Sequence, residues 1–347
     1  MIPRDIVKLA FQYQETEFVP YLLEIDNKKK EEITKYYGND NWKKSIVNYV
    51  SYSSLTGVDN FLSLNMGFEN LYDAGKMSIQ KDSFGCTWKL GTAAQLIDPP
   101  LHEPTVGNYH LPDLDNYFKN YLYPRWPEEI NSTTEQFRVI THSFGLFERS
   151  WSLRGFNDFL IDLICNEKFV DELLECITEW FLQSVDLMVG GPIDAIMFTD
   201  DHAGQRGMLM SENMWRKFFK PRWKRIYERV HHYGIYTIMH MCGNNTSIIP
   251  DLIEIGLDCM ESCQPECMDI YSLKKKFGKN IRFWGGLGVQ NIMPFGTEEK
   301  VRIEIRRLKK EMGSGGGYLL AGAKPFGEDI PIRNIIAFLE EANLPRF

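Results

Sequence analysis

No stretch of about 18 consecutive apolar residues occurs in this sequence, so it contains no segment able to span a bilayer as a helix. Its start, Met1-Ile2-Pro3-Arg4-Asp5, lacks the apolar stretch and small-residue cleavage site of a secretory signal, and the expected location is the cytoplasm. Positive charge is also scarce: 39 Lys and Arg stand against 47 Asp and Glu, a net charge of -8. Phosphate backbones need a clustered basic surface, so non-specific nucleic-acid binding is excluded. The run Lys28-Lys29-Lys30 is followed at once by Glu31-Glu32 and reads as a solvated helix start. A Gly-rich phosphate loop is missing too. No GxGxxG follows the first candidate strand, and Gly315-Gly316-Gly317 precedes a strand instead of opening a helix, which makes it a turn. The seven cysteines are odd in number and scattered, which favours reduced thiols or metal ligands over a disulfide framework.

What remains is an ordinary globular composition, 44% hydrophobic and 25% charged, over 347 residues, a length that one domain spanning 1–347 can occupy. Eight short apolar or β-branched segments bounded by turn residues recur: Val19–Ile25, Asp59–Leu64, Val139–Phe144, Ile193–Thr199, Ile235–Met241, Leu257–Cys263, Ile281–Trp284 and Gly317–Ala321. From the third onward helical patterns follow: Phe156–Val189, Ser211–Tyr233, Thr246–Ile255, Asp269–Phe277, Thr297–Met312 and Pro331–Leu339. Strand and helix in alternation imply a parallel sheet, and eight units close naturally into an α/β (β/α)8 TIM barrel. The stretch Met66–Trp126, punctuated by Pro99, Pro100, Pro104, Gly107 and Pro112, breaks the alternation and is expected to be an irregular excursion capping the mouth. Its aromatics Phe84, Trp88 and Tyr109 either wall a pocket or pin the loop down.

In a barrel, chemistry gathers at the C-terminal ends of the strands. The Ile235 strand ends in His240 and Cys242, two residues apart and therefore on one face of an extended chain. An imidazole and a thiolate in one cavity suit zinc. On the next strand Cys259, Glu261 and Cys263 share a face by the same alternation. A carboxylate on a buried strand is costly unless paired or ligating, so Glu261 is the expected third ligand, with Cys263 as the alternative and Cys259 as core. Cys86, Cys165, Cys176 and Cys267 are given no role. The loop after the Ile193 strand concentrates Asp200, Asp201 and His202, candidates for acid/base work, and Gln205. His142 ends the Val139 strand and is expected to face the cavity, so His142 and Gln205 are candidate substrate contacts. Asp200-x-His202 begins a cobalamin-binding pattern, but its sixth position is Gln205 instead of glycine.

Taken together, His240-Met241-Cys242-Gly243-Asn244, the run Ile248 to Asp258, Gln264-Pro265-Glu266, Phe283-Trp284-Gly285-Gly286 and Gly315 to Tyr318 resemble the uroporphyrinogen decarboxylase superfamily, in its corrinoid-dependent methyltransferase branch. Gly145 to Glu148, Arg154-Gly155 and Asp200-Asp201 extend the likeness upstream. The resemblance implies a methyltransferase that works with zinc and with cobalamin carried by a separate corrinoid protein. The Arg-Gln-Ala-Gly-Arg stretch of true decarboxylases is replaced by the arginine-free Val19–Ile25, which argues against a tetrapyrrole substrate. The branch also places a zinc-binding Cys near the end of the last strand, where Leu319 to Pro325 has none. Glu261 falls where the zinc enzyme cobalamin-independent methionine synthase carries a Glu. A His, Cys, Glu site suits cleavage of a methoxylated, aromatic ether (O-demethylation) more than activation of a thiol such as coenzyme M.

Overall fold

A computed structural model describes residues 1–25, 27–54, 68–73, 78–91, 94–119, 123 and 126–346. Its strands, in chain order, are β1 (Val50–Ser54), β2 (Phe68–Asp73), β3 (Ser78–Asp82), β4 (Thr87–Leu90), β5 (Gln95–Asp98), β6 (Phe137–His142), β7 (Ala195–Thr199), β8 (Ala203–Gly204), β9 (Gly207–Met208), β10 (Tyr236–His240), β11 (Cys259–Cys263), β12 (Arg282–Leu287) and β13 (Tyr318–Gly322). Seven of them form one parallel sheet in the order β1-β6-β7-β10-β11-β12-β13. Consecutive neighbours joined through helices are what the alternating pattern demands.

Six expected strands are present. The first, Val19–Ile25, is reduced to two parallel bridges, Tyr21 with Leu320 and Ile25 with Phe326. Pro20 has no amide hydrogen to continue a ladder, although its carbonyl accepts from the Leu320 amide at 2.9 Å. Asp59–Leu64 lies outside the described residues. β1 was not foreseen, because its sequence, Val50-Ser51-Tyr52-Ser53-Ser54, places serine where apolar residues signal a strand. The excursion is also more regular than expected. Within it β2, β3, β4 and β5 form an antiparallel meander. Buried Trp88 meets Phe144 and Trp151, while the Tyr109 hydroxyl donates to the Phe84 carbonyl at 2.8 Å. These aromatics pin the meander to the helix Leu146–Arg154.

Two expected long helices are broken. Asn166, in a non-helical conformation, separates Phe156–Cys165 from Glu167–Met188. Pro221, lacking an amide donor, starts Lys220–His232 after Glu212–Phe218. The helix Pro3–Phe11 carries Phe11 beneath the strands, against Phe137 and Tyr236, the first residues of β6 and β10. The guanidinium of Arg282, first residue of β12, donates to the Phe11 carbonyl at 2.7 Å. The N-terminal end of the sheet is thus plugged, which leaves the C-terminal ends for chemistry. Among the described residues no helix is long and apolar enough to cross a membrane.

Candidate metal centre

His240 is the last residue of β10, in register with Thr199 of β7 and Glu261 of β11. Two residues on, the Cys242 thiol comes to 3.5 Å from His240 Nε2. The chain can turn there because Gly243 sits at φ +81, where a side chain would meet the Ala203 carbonyl oxygen at 2.5 Å. This close approach brings the loop after β7 alongside, and the Cys242 amide donates to Asp201 Oδ1 at 2.7 Å. One donor atom each from Asp201, His240 and Cys242 then lies within 4.8 Å of the others, all three half-buried. A nitrogen, a sulfur and an oxygen converging in this way form a set able to hold a divalent metal ion.

Glu261 lies on the far side of the imidazole. Its carboxylate is hydrogen-bonded and ion-paired to His240 Nδ1, so it fixes the ring while Nε2 faces Cys242. Glu261, the expected third ligand, thus stands on the Nδ1 side, and the carboxylate grouped with Nε2 and the thiol is Asp201. Cys263, the alternative, is turned away as well. Ser262 has φ +66 and the β11–β12 register shifts between Met260 and Cys263, so Cys259, Glu261 and Cys263 do not share one face. The Cys263 thiol donates to the Met260 carbonyl at 3.4 Å, and Ser262 Oγ stands 3.9 Å from Cys242 Sγ in its place. Cys259 is buried, as expected of a core residue. All seven cysteines are free.

Asp200 and His202 were expected at the reacting centre, but both are fully buried beside it. Asp200 accepts the Phe147 and Glu148 amides, at 3.1 and 2.9 Å, which have no partner within the helix in the buried first turn of Leu146–Arg154. His202 Nε2 stands 3.0 Å from Asp200 Oδ2, and Nδ1 receives the Trp215 indole N–H at 3.2 Å. An indole only donates, so Nδ1 carries the lone pair and Nε2 the proton. Burial lowers the His202 pKa to about 3, consistent with that neutral tautomer. The pair is a satisfied structural unit, not an acid facing a cavity.

His142 points the other way from the expectation. It is 0% exposed, stacks on Phe181 of the outer helix Glu167–Met188 at 4.0 Å and lies 2.8 Å from Ser184 Oγ, with burial lowering its pKa to about 3. Gln205 is exposed between β8 and β9 and donates to Gln290 Oε1 at 3.1 Å, away from the His240–Cys242 pair. Two carboxyls missed in the sequence border the centre instead. Glu148 is pushed up to about 7 by burial and by the charge of Asp201, with His240 opposing, and Thr199 Oγ1 is 3.3 Å from its Oε2. Glu24 is pushed up to about 7 by burial and by Glu261. The signal for Glu24 was a lone carboxylate in an apolar segment, the same one that marked Glu261.

The family model described as uroporphyrinogen decarboxylase (URO-D) matches residues 130–343. A methylated-thiol–coenzyme M methyltransferase of Methanosarcina mazei is 23% identical over 155 residues, 44% of this chain and 39% of that protein's length. The methylcobamide:CoM methyltransferase MtbA of the same organism is 23% identical over 268 residues, 74% of each chain. Its counterpart from Methanosarcina acetivorans is 21% identical over the same shares. A solved methyltransferase structure from Methanosarcina mazei superposes with a TM-score of 0.71 at 18% identity, covering 99% of this chain and 98% of the other. The match over residues 130–343 takes in β6, β7, β10, β11, β12 and β13 and every residue of the candidate centre, and the chain belongs to the uroporphyrinogen decarboxylase (URO-D) family.

Proposed function

We propose that this protein is a corrinoid-dependent methyltransferase that moves a methyl group from a methoxylated, aromatic ether to the cobalt of a separate corrinoid protein, with zinc held by His240, Cys242 and Asp201. The observation that carries the reading is the donor set. Ligands at about 2.3 Å (sulfur) and 2.0 Å (nitrogen) on a zinc ion with tetrahedral angles would stand about 3.5 Å apart, and Cys242 Sγ and His240 Nε2 are 3.5 Å apart. The pairing of the other imidazole nitrogen with a carboxylate is the usual support for a metal-bound histidine, and Glu261 supplies it. With one sulfur donor in the set, a bound zinc would be a stronger Lewis acid for an ether oxygen than a thiolate-rich site would provide. Glu148, titrating near neutrality beside Asp201 and His240, holds the proton that the departing phenolate oxygen takes up. Glu261 keeps the imidazole in one orientation throughout. The same reading takes residues 1–347 as one cytoplasmic domain in which Val19–Ile25 is an eighth stave completing the barrel.

A second reading, transfer of methyl from a methyl-corrinoid to a thiol, draws support from relatives named as coenzyme M methyltransferases. The two are separated by incubating the protein with reduced corrinoid protein and a panel of aryl methyl ethers, then with methylated corrinoid and coenzyme M. Methyl–cobalt absorbance appearing with an ether is the expected result. Its absence with every ether, together with demethylation by the thiol, rejects the ether assignment.

A further inference from the structure

We propose that Trp215 is a positioning residue for the metal ligand Asp201, acting through His202 and Asp200; this rests on the metal reading above. Two polar contacts run in series and end on a carboxyl that gathers two more. The Trp215 indole donates to His202 Nδ1 at 3.2 Å, His202 Nε2–H donates to Asp200 Oδ2 at 3.0 Å, and the Asp200 carboxylate collects the Phe147 and Glu148 amides at 3.1 and 2.9 Å. Both middle residues are buried, at 0% and 1% exposure, so no water substitutes for a lost partner.

The series has a direction because only its first member is an obligate donor. With the indole N–H in place, His202 has one acceptable tautomer. Without it the proton can move to Nδ1, and His202 then no longer donates to Asp200 Oδ2, 3.0 Å away. Asp200 cannot yield on its own. Its amide is held by the His240 carbonyl at 3.1 Å, and Gly145 lies so close that a Cβ there would meet Asp200 Cβ at 2.5 Å. Asp200 is joined directly to Asp201, whose carboxylate reaches the Cys242 amide, so the seating of Asp200 sets where that ligand starts. Trp215 sits on the helix Glu212–Phe218 and touches no ligand atom, which makes its role indirect.

The experiment compares zinc dissociation constants, by competition with a chromophoric chelator, for wild type and the variants Trp215→Phe, Trp215→Phe/His202→Gln and His240→Ala, with 15N shifts of His202 recorded in parallel. Trp215→Phe keeps the ring and removes the N–H. It should weaken zinc binding about 10-fold, the low end of losses seen when the support of a ligand is removed, and give mixed His202 tautomers. Glutamine places a fixed amide donor where Nε2–H stood, so the double variant should recover the affinity. Wild-type affinity in Trp215→Phe, or a loss that the double variant does not recover, overturns the positioning role. Zinc held equally by wild type and His240→Ala, or by neither, instead overturns the metal reading on which it stands.

Discussion

Replacing Gly145 by Ala isolates one steric contact on which the mouth depends. Gly145 has φ -64 and ψ -165, a conformation open to alanine, so the backbone itself adds no strain. In an unobstructed place the change would stabilise by about 0.4–1 kcal/mol, by reducing the freedom of the unfolded chain. Here the new methyl carbon would stand 2.5 Å from Asp200 Cβ, 2.6 Å from Asp200 Cγ and 2.8 Å from the Thr199 carbonyl oxygen. None of these is the far end of a flexible side chain, so the helix Leu146–Arg154 must back away. The Phe147 and Glu148 amides then lose the Asp200 carboxyl and are left buried without a partner, at about 1–3 kcal/mol each. Two at about 1.5 kcal/mol, less the alanine gain, leave a net loss of about 2 kcal/mol. Unfolding entropy near 2.1 cal/mol/K per residue amounts to about 0.7 kcal/mol/K for this chain. Differential scanning calorimetry should therefore show Tm lower by about 3 °C. A Tm unchanged or raised would refute the reasoning, since that is the result for a glycine with room beside it.

Three further outcomes are expected. Glu261→Gln, which removes the charge facing His240 Nδ1, should weaken zinc binding about 10- to 100-fold by chelator competition while the fold is kept by circular dichroism. His142→Phe should leave methyl transfer unchanged and cost about 1–2 kcal/mol in urea unfolding through the lost Ser184 contact; a tenfold loss of turnover would restore a substrate role. Lys274 is buried, donates to the Gly316 carbonyl at 2.5 Å and has its pKa lowered by burial to about 8. The unfolded chain, with an ordinary lysine near 10.4, holds that proton to higher pH than the folded one. Stability should accordingly rise between pH 8 and 10 by up to about 1.4 kcal/mol per pH unit from this group. In Lys274→Met that component of the pH dependence should vanish from denaturant unfolding.

Much of the fold was legible because parallel strands under helices read as short apolar runs. β6, β7, β10, β11, β12 and β13 all announced themselves in this way. β1 did not, since its alternate serines imitate a turn, and Val19–Ile25 reads as a strand although Pro20 interrupts its ladder. The same burial that makes a strand visible hides its phase. Five of the six residues of β6 are buried, the polar Arg138 and His142 among them, so polarity does not mark which side faces the axis, and His142 was assigned to the wrong one. His240 and Cys242 were legible because their pairing needs one strand and a spacing of two. Asp201 was legible as a polar residue in the correct loop, but its meeting with Cys242 depends on two loops touching at Gly243 and Ala203, a tertiary contact without a local signature.

The composition of the centre turns on one backbone feature. In a regular β11 the side chains of Glu261 and Cys263 would project together, and the centre would have a second thiol within reach. Ser262 prevents this by adopting φ +66, a conformation that non-glycine residues enter at a cost of order 1 kcal/mol. Three contacts hold it there. Ser262 Oγ donates to the Ala323 carbonyl at 2.7 Å, the Cys263 thiol turns back to the Met260 carbonyl, and Gly285 leaves space where a Cβ would stand 3.1 Å from the Cys263 amide nitrogen. Bulges of this kind re-aim side chains beside active sites. Here the irregularity turns the Cys263 thiol back to the Met260 carbonyl, presents a hydroxyl to Cys242 and leaves Glu261 to the imidazole, with the Asp201 carboxylate grouped with Nε2 and the Cys242 thiol. Under the metal reading proposed above, an element that looks like a lapse in strand geometry would set whether a bound metal sees one thiolate or two, and with it how strongly that metal could act on an oxygen.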